Sequence, residues 1–466
     1  MKKSLARLLV LMLIFTISVS FVACGDKKDD PNASKIETTA EVKEEASTKE
    51  EAAAEIPVPA ENIKLSVWIN AFVTDEDLKK PKEEWMAAKM FKKFEEENPG
   101  VTIEFTVPPD QQAAHQTFKA AAMAKSGPDI ANLWSGQPLF ALKDVVLKLN
   151  GKISPDDLEN IGGWETVTDG FKADGDILGF PAAGTEVTGF LYNKKIIADA
   201  GLDLENNPPK TVEEFMAALE KIKTMGMQPI AADAGGSNGL FIFGTASWWV
   251  QMVGNDRVAS NSTGETKFID DKYFIDTLKA TSELYKKGYV NTDYATSKEA
   301  GNKFMQGKAA LLATGNWSIS SAVEALGVDN VGFYNVPDFA AGAKVSNTTI
   351  GGPGHCLTIA NYTKSPDMAV KLVSFMSNKE NHTNLVKEAS RIPLRKDISL
   401  EELGWKGKQV YEKAYELGQN YVYWSENSMI PDVMNEYMKV GITVITGKIS
   451  AEDAAKQLDR KAEEVN

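Results

Sequence analysis

The chain has 466 residues, carries 65 Asp and Glu against 51 Lys and Arg, and has a formal net charge of −14. An acidic chain of this kind is a poor candidate for nucleic-acid binding, which needs basic patches that neutralise phosphates. Its two Cys and three scattered His form neither a disulfide framework nor a cluster with metal-ligand spacing, so we expect no metal and no cofactor.

The first 24 residues predict an exported chain. A basic segment (residues 2–7) precedes an apolar run (residues 8–17) that is too short for a comfortable membrane span. Residues 21–24, FVAC, resemble the lipobox of bacterial lipoproteins. That resemblance implies a signal peptide over residues 1–23 and diacylation of Cys24, and two acyl chains make a stable membrane anchor. A cleaved signal followed by an incidental cysteine is the alternative.

Residues 24–61 are predicted to be the lipidated cysteine and an acidic, disordered tether. From residue 25 to residue 61 the chain has eleven Asp or Glu, five Lys and few apolar residues other than Ala. Such a segment cannot bury enough apolar surface to fold. As a coil its ends would lie roughly 35 Å apart, which would hold a folded body near a membrane and clear of the headgroups. A solvated tail without a function is the alternative.

Residues 62–466 are long enough to form two lobes. The first part predicts strands over 63–70, 101–107 and 129–133, with helices over 82–98 and 111–126 between them. The signals are apolar residues at every fourth position of the first helix and strict alternation in the second strand. This rhythm indicates an α/β lobe with a largely parallel sheet, whose binding site would lie beyond the carboxyl ends of the strands.

Later segments repeat the same rhythm. Thr211 is predicted to cap a helix, with Glu214 at the capping-box position. Further strands are predicted over 189–193, 228–233 and 309–314. Further helices are predicted over 194–200, 211–226, 274–287, 297–306, 365–377, 381–389, 408–419, 431–446 and 450–464.

Eight segments of residues 62–466, taken in their order along the chain, carry a resemblance to a known family. They are VWIN at 67–70, SGPDIANLW at 126–134, GFPAAGTEVTGFLYNKKIIADAGL at 179–202, PPKTVEEFMAAL at 208–219, FMQGKAALLATGNWSI at 304–319, VPDFAAG at 336–342, GGPGHCLTIANYTKSPDMAVKLVSFMSN at 351–378 and GKISAEDAAKQLDRKAEEV at 447–465. In this order, behind a lipobox, they resemble the bacterial extracellular solute-binding proteins (family 1) of carbohydrate ABC importers, the group that includes maltose-binding protein.

The resemblance implies a two-lobed α/β fold of the periplasmic-binding-protein type (type II), with mainly parallel sheets, flanking helices and a hinge cleft. One lobe would comprise residues 62–185 with 351–400, and the other residues 186–350 with 401–466. The resemblance also implies a receptor, anchored by lipid to the extracellular face of the cell membrane in a Gram-positive-type cell. Its ligand would be a carbohydrate, expected to be an oligosaccharide, and its partners an ABC importer permease pair with its ATPase. We expect a monomer without enzymatic activity or catalytic residues.

Candidate ligand contacts follow from the family roles and from sugar chemistry. The C–H faces of a sugar pack on aromatic rings, and its hydroxyls pair with carboxylates, amides and backbone groups. For each candidate a structural role is the alternative: core packing for the Trp residues, a turn for the glycines and a solvated carboxylate for Glu186. The predicted ligand-binding residues are Asn70, Phe72, Trp134, Glu186, Trp249, Asn316, Trp317, Gly352, Pro353 and Trp424.

The alternative interpretation of the sequence is that the protein is a secreted, lipid-anchored hydrolase. Residues 235–239, GGSNG, fit the G-x-S-x-G elbow of serine esterases, which would make Ser237 a nucleophile. A glycosidase would need a recognisable pair of carboxylates, and the sequence shows none. The strands that should follow the elbow in an esterase are also missing from the pattern. The sequence therefore favours a binding protein over an enzyme or a purely structural surface lipoprotein.

Overall fold

The structure, a computed structural model, describes residues 62–74, 76–109, 111–234 and 239–465. The predicted signal peptide, Cys24, the tether and Ser237 lie outside these residues. Within the described part, no helix is both long and apolar enough to cross a membrane.

Eleven strands of the described chain form two sheets. The strands are β1 (Ile63–Trp68), β2 (Val101–Thr106), β3 (Ile130–Trp134), β4 (Phe180–Ala182), β5 (Glu186–Asn193), β6 (Gln228–Ala231), β7 (Ala309–Gly315), β8 (Val331–Tyr334), β9 (Thr349–Gly352), β10 (His355–Ile359) and β11 (Tyr421–Tyr423). The first sheet has the order β2-β1-β3-β10-β4. The second has the order β11-β9-β5-β7-β6, with β8 also paired to β5.

Both sheets mix parallel and antiparallel pairs. Strand β1 pairs in parallel with β2 and β3, as the β-α-β rhythm predicts. Strand β10 pairs antiparallel with β3 and β4, and β5 pairs antiparallel with β7, β8 and β9. The expectation of mainly parallel sheets is therefore too strong. The β-α-β rule applies to strands joined by a crossover within one sheet, whereas β5 and β10 each enter their sheet directly from the other one.

The two short connections carry the chain between the sheets. The chain leaves the first sheet after Ala182 and enters the second at Glu186. It leaves the second after Gly352 and returns to the first at His355. Both connections therefore bring residues of the two sheets close together.

Helices flank the sheets. They are α1 (Met86–Glu97), α2 (Gln111–Met123), α3 (Gln137–Phe140), α4 (Pro155–Asn160), α5 (Lys194–Asp199), α6 (Val212–Thr224), α7 (Ala246–Val253), α8 (Asn255–Ser262), α9 (Lys272–Lys286), α10 (Ala300–Met305), α11 (Ile319–Leu326), α12 (Pro366–Met376), α13 (Lys379–Glu388), α14 (Leu400–Leu403), α15 (Gln409–Leu417), α16 (Pro431–Ile445) and α17 (Ala451–Val465). A π-helical segment spans Gly239–Thr245. Short 3-10 helices span Asp77–Lys79, Lys82–Glu84, Trp164–Val167, Asp169–Phe171, Asn316–Ser318, Val328–Asn330 and Glu426–Ser428.

The start of α6 shows how local sequence sets these boundaries. The Thr211 hydroxyl accepts the backbone N–H of Glu214 at 3.2 Å, as the predicted cap requires. The Glu214 carboxylate accepts the backbone N–H of Lys210 at 2.7 Å rather than that of Thr211. The reciprocal half of the predicted capping box is thus shifted by one residue.

Apolar cores lie against both sheets. Against the first, Leu65, Val67 and Leu357 pack with Phe94 of α1 and Leu372 of α12. Against one face of the second, the core includes Phe190, Leu311, Phe215, Trp249 and Tyr437. Each of these residues is at most 2% exposed, so removing any one side chain would leave a cavity.

A further core includes residues from both predicted lobes. Val187 and Leu191 of β5 pack in one cluster with Val386 of α13 and Ile392. Thr185 and Ile392 also form an isolated antiparallel bridge. The predicted lobe boundaries at residues 185, 350 and 400 stay a prediction.

Candidate functional site

A cavity of about 1040 Å³ is lined by residues of both sheets. The first sheet contributes Trp134 at the end of β3 and His355 at the start of β10. The second contributes Glu186 at the start of β5 and Thr314 near the end of β7. Residues of α11 and α16 also line it. The cavity therefore lies at the ends of strands, where open α/β sheets bind ligands.

Three aromatic rings, Phe243, Trp317 and Trp424, form one side of the cavity, which we call the aromatic wall. The centroids of Trp317 and Trp424 are 6.4 Å apart, with an interplanar angle of 33°. Phe243 meets the Trp317 ring edge-on, with the centroids 5.0 Å apart. The three rings hold one another in place and give this side of the cavity an aromatic surface.

Two backbone features fix the positions of the tryptophans. The Trp424 indole N–H donates to the carbonyl of Gly352 at 3.2 Å. The Trp317 ring folds back over Gly315, where an added Cβ would stand 2.1 Å from the nearest ring atom. Only glycine at position 315 leaves room for this ring orientation.

Trp134 lines the cavity from the first sheet. Its backbone N–H donates to Nε2 of His115 at 2.9 Å, and the two rings lie 5.3 Å apart. Burial lowers the pKa of His115 to about 4, so its imidazole is neutral at neutral pH and can accept this bond. Trp134 is thereby held by a helix of its own sheet, since His115 lies in α2.

A buried ion pair joins the elements around the connections between the sheets. Nε of Arg391 lies 2.6 Å from a carboxylate oxygen of Glu186, and both side chains are at most 12% exposed. The Arg391 Nε–H has no hydrogen-bond acceptor in good geometry, so this contact is electrostatic rather than a directed hydrogen bond. Nη1 of Arg391 also donates to the carbonyl of Ala71 at 2.5 Å. The pair therefore ties β5 to the segment after β1.

His355 lies beside this pair, with Nε2 3.5 Å from the Glu186 carboxylate. Burial lowers the pKa of His355 to about 4, and the Arg391 charge lowers it further, against the opposing effect of Glu186. The imidazole is therefore neutral at neutral pH. Arg391 is thus the cation that compensates Glu186.

Glu426 adds a second buried carboxylate to the cavity. It begins the 3-10 helix Glu426–Ser428, two residues after Trp424, and is 8% exposed. The Ser425 hydroxyl donates to it at 3.0 Å. Burial raises the pKa of Glu426 to about 7, and hydrogen bonds from its own backbone and from Ser425 compensate only in part.

Charged residues at one rim of the cavity are already paired with one another. Nζ of Lys79 lies 3.1 Å from Glu76 and 2.8 Å from Glu324 of α11. These side chains are about half exposed or more, so the contacts contribute little to stability. They do connect the segment after β1 with a helix that follows β7, across the mouth of the cavity.

The structure brings four of the ten predicted ligand residues to the cavity. They are Trp134, Glu186, Trp317 and Trp424. The other six lie nearby or in the cores and are not among the residues that line it.

Asn70 and Phe72 are buried and do not line the cavity. The Asn132 side chain accepts the backbone N–H groups of Asn70 and Ala71, and the Asn70 amide donates to the Asn132 carbonyl at 3.3 Å. Phe72 is 1% exposed in the core of the first sheet. This loop is shaped by its own hydrogen bonds, and the next residues, Val73 and Thr74, reach the cavity instead.

Asn316 is a buried connector. Its Oδ1 accepts the backbone N–H of Val187 at 2.9 Å, and its Nδ2 donates to the carbonyl of Ser390 at 2.9 Å. Its side chain therefore satisfies backbone groups and is not directed to the cavity. The adjacent Trp317 takes the cavity position.

Gly352 and Pro353 also act through the backbone. The Gly352 carbonyl accepts the Trp424 indole N–H, and the Pro353 carbonyl accepts the Ser135 hydroxyl at 2.6 Å. The residue that lines the cavity here is Gly354, where an added Cβ would stand 3.0 Å from the Trp424 indole nitrogen.

Trp249 lies in the core of the second sheet. It is 1% exposed, and its indole N–H donates to the Asp271 carboxylate at 3.0 Å. Helix α7 is buried on nearly every side, so its apolar sequence gives no hint of which face could meet a ligand.

The cavity residues that the predicted set lacks include Phe243, His355, Arg391 and Glu426. Phe243 lies in an apolar run that reads as core. His355 and Arg391 are far from Glu186 in sequence, and only the folded chain brings them together. Glu426 had a usable signal, because a carboxylate two residues after a candidate aromatic platform is well placed to meet a hydroxyl.

Among the described residues, no group of three or more His, Cys, Asp or Glu is arranged to hold a metal ion. The chemistry that these side chains offer is apolar stacking, hydrogen bonding and a compensated ion pair.

The family model of the bacterial extracellular solute-binding proteins matches residues 89–413. The chain belongs to this family. The family resemblance of the sequence is thereby confirmed. So is the prediction of a binding protein rather than an enzyme, and the hydrolase alternative based on Ser237 is not retained.

Curated relatives support the membership at low identity. An uncharacterised ABC transporter extracellular-binding protein of Pyrococcus horikoshii is 23% identical over 376 residues, which are 75% of this chain and 83% of the relative. A multiple sugar-binding protein of Streptococcus mutans is 23% identical over 310 residues, 62% of this chain and 67% of the relative. An sn-glycerol-3-phosphate-binding periplasmic protein of Brucella abortus is 29% identical over 181 residues, and the match spans only 40% of that protein.

Solved structures show the same fold. A chitin oligosaccharide binding protein matches with a TM-score of 0.74 and 23% identity, over 86% of this chain and 98% of that one. The protein RafE in complex with raffinose matches with a TM-score of 0.67 and 17% identity, over 86% and 99%. These likenesses confirm the two-lobed α/β fold of periplasmic binding proteins.

Proposed function

We propose that this protein is a lipid-anchored extracellular receptor that binds an oligosaccharide in the cavity between its two sheets and delivers it to an ABC importer. The observation that carries the proposal is the aromatic wall of Phe243, Trp317 and Trp424 in one cavity with the carboxylates of Glu186 and Glu426. Flat apolar rings match the C–H faces of a sugar, and carboxylates match its hydroxyls.

The size of the cavity supports an oligosaccharide rather than a single sugar. At about 1040 Å³ it is as large as the upper end of ordinary small-molecule sites, roughly 300–1,000 Å³. Its aromatic and polar residues come from both sheets, so a ligand with several rings can meet both at once.

The charged residues of the cavity support a ligand without phosphate. Arg391 is held by Glu186, and Lys79 is shared between Glu76 and Glu324. A phosphate would have to compete with these carboxylates for its cations and would face the buried carboxylate of Glu426. The partial match to sn-glycerol-3-phosphate-binding proteins therefore does not set the ligand class.

Sugar binding is tested by calorimetric titration of the purified mature protein with maltotriose, xylotriose, chitotriose and raffinose. We expect one-to-one binding of at least one of them, without turnover on standing. Failure of all four to bind, or steady release of reducing ends, would contradict the proposal.

Anchoring and delivery complete the proposal. The FVAC signal and the acidic segment that follows it support attachment through Cys24. Loss of the signal removes three positive charges and takes the formal charge from −14 to −17, which suits a protein with no nucleic-acid partner. In this proposal the protein works as a monomer beside a permease pair and its ATPase, on the outer face of a Gram-positive-type membrane.

The anchor is tested by fractionation of a Gram-positive host that expresses the full chain. We expect the wild type in the membrane fraction and a Cys24→Ala variant in the culture medium or in uncleaved form. A Cys24→Ala variant that is cleaved and still partitions with the membrane like the wild type would show that Cys24 is incidental.

A further inference from the structure

Glu426 differs from Glu186, the other buried carboxylate that lines the cavity, in having no cation beside it. Its carboxylate is 8% exposed, and its hydrogen bonds come from the Ser425 hydroxyl and its own backbone. Glu186, by contrast, lies 2.6 Å from Arg391. Among the described residues no Lys, Arg or His forms an ion pair with Glu426. The fold thus buries the Glu426 carboxylate at the cavity without a cation to compensate its negative charge.

The groups packed around Glu426 do not supply that charge either. From β11 and α16 the titratable neighbours are Tyr423 and Tyr437, whose pKa values burial raises, so both are neutral phenols. Helices α3 and α8 also contact its 3-10 helix. Asn255 of α8 donates there to the Ser428 hydroxyl at 3.1 Å.

The described charged groups elsewhere on the lining form no ion pair with Glu426. Lys439 of α16 lies 3.6 Å from Glu436 and is 71% exposed. Across the cavity, His355 is a neutral imidazole and Glu186 with Arg391 forms a compensated pair. The local field at Glu426 is therefore set by burial. Burial raises its pKa to about 7, so the empty site is close to half protonated at neutral pH.

We propose that Glu426 determines the specificity of the sugar site: its carboxylate accepts hydroxyl donors from a neutral sugar stacked on the aromatic wall and excludes acidic sugars such as uronates. This inference rests on the proposed function. Hydroxyl donors replace the water that Glu426 loses on burial, and a ligand carboxylate would place a like charge against it. Trp424, two residues away, brings the stacked face and the acceptor together.

With this role for Glu426, sugar binding is coupled to the release of a proton. Because donors from the ligand stabilise the ionised carboxylate, binding lowers the pKa of Glu426 and releases a proton. From a free-protein pKa of about 7, the ionised fraction rises about tenfold between pH 6 and pH 8, and the affinity is expected to rise by about the same factor. At pH 7 the coupled release is about half a proton per sugar bound.

The test is titration calorimetry of the purified mature protein at pH 6, 7 and 8. The probe is whichever of maltotriose, xylotriose, chitotriose and raffinose binds the wild type most tightly, and trigalacturonate is the acidic comparison. Buffers of different ionisation enthalpy report the proton release at pH 7. The variant is Glu426→Gln, which keeps the shape but not the charge. Glu416→Gln, at an exposed position on α15, is the matched control.

For the wild type and the control we expect about tenfold tighter binding at pH 8 than at pH 6, proton release, and trigalacturonate at least tenfold weaker than the neutral probe. Glu426→Gln is expected to bind the neutral probe at least tenfold more weakly at pH 8, with no pH dependence and no proton release. A wild-type affinity that changes less than twofold with pH, an unaffected variant, or tight binding of trigalacturonate would each overturn the assignment while the proposed function stands. Failure of the wild type to bind any of the four neutral sugars would remove the proposed function, and this inference with it.

Discussion

Trp317 offers the most direct separation of sugar binding from folding. Its ring is partly exposed in the cavity, where it meets Phe243 edge-on at 5.0 Å and Trp424 at 6.4 Å. Trp317→Ala removes the ring that a sugar would cover, while the buried core beneath it stays intact. The variant is therefore expected to lose affinity more than stability.

The magnitudes follow from the surface involved. A sugar face stacked on the indole removes on the order of 80 Å² of apolar surface from water, worth about 2 kcal/mol at about 25 cal/mol per Å². That corresponds to an increase in Kd of about 30-fold. The free energy of unfolding is expected to fall by only about 1–2 kcal/mol, from lost edge contacts with neighbouring rings.

The assay is paired: Kd by calorimetry and the free energy of unfolding by urea denaturation, on the same protein samples. Trp249→Phe is the matched control, because Trp249 is 1% exposed in the core and its indole donates to Asp271. Its unfolding free energy is expected to fall by about 1–3 kcal/mol while Kd stays within twofold. Unchanged affinity in Trp317→Ala, or a larger loss of affinity in the control, would refute the placement of the ligand on the aromatic wall.

Two further substitutions test how the cavity is built. Gly315→Ala is expected to weaken sugar binding about tenfold with the fold intact, because the new methyl group would stand 2.1 Å from the Trp317 ring and displace it. Gly301→Ala, where nothing lies within 4 Å, is its control, and equal affinities would contradict the account. Arg391→Ala is expected to lower the free energy of unfolding by about 3–5 kcal/mol, because it leaves the buried Glu186 carboxylate unpaired. Urea denaturation measures this loss, Arg391→Lys should recover part of it, and a loss below about 1 kcal/mol would show that the pair is dispensable.

The sequence predicted elements well where one face of an element is buried. Met90 and Phe94 repeat at helical spacing in α1, and both are buried. Val101 and Ile103 alternate in β2 and are buried likewise. Val107, predicted on the same face, is 41% exposed, because the strand ends at Thr106 and the chain leaves the sheet. Periodicity therefore located these elements, with errors at their ends, whereas short strands such as β4 and β11 and the nearly fully buried helix α7 were not predicted.

Pairing direction and the choice of cavity residues depend on tertiary structure. Strands β5 and β10 enter their sheets from the other sheet and pair antiparallel with strands distant in sequence, which no local pattern encodes. Asn316 and Trp317 were both predicted to contact the ligand, but two backbone hydrogen bonds turn the Asn316 amide inward and leave the Trp317 indole at the cavity.

The ion pair of Glu186 and Arg391, with His355 beside it, was likewise only partly predictable from the sequence. Glu186 could be proposed from its place after the first connection. Its partners Arg391 and His355 are brought to it only when the chain has crossed between the sheets. Their distances and the resulting pKa of His355 are properties of the folded molecule.

The central claim is that a neutral oligosaccharide binds between the two sheets on the aromatic wall. A crystal structure of the mature protein with the tightest-binding trisaccharide tests it most directly. We predict one sugar ring stacked on Trp317 or Trp424 and a sugar hydroxyl within hydrogen-bond distance of Glu426. A trisaccharide bound on an outer surface, with the aromatic wall uncovered, would contradict it.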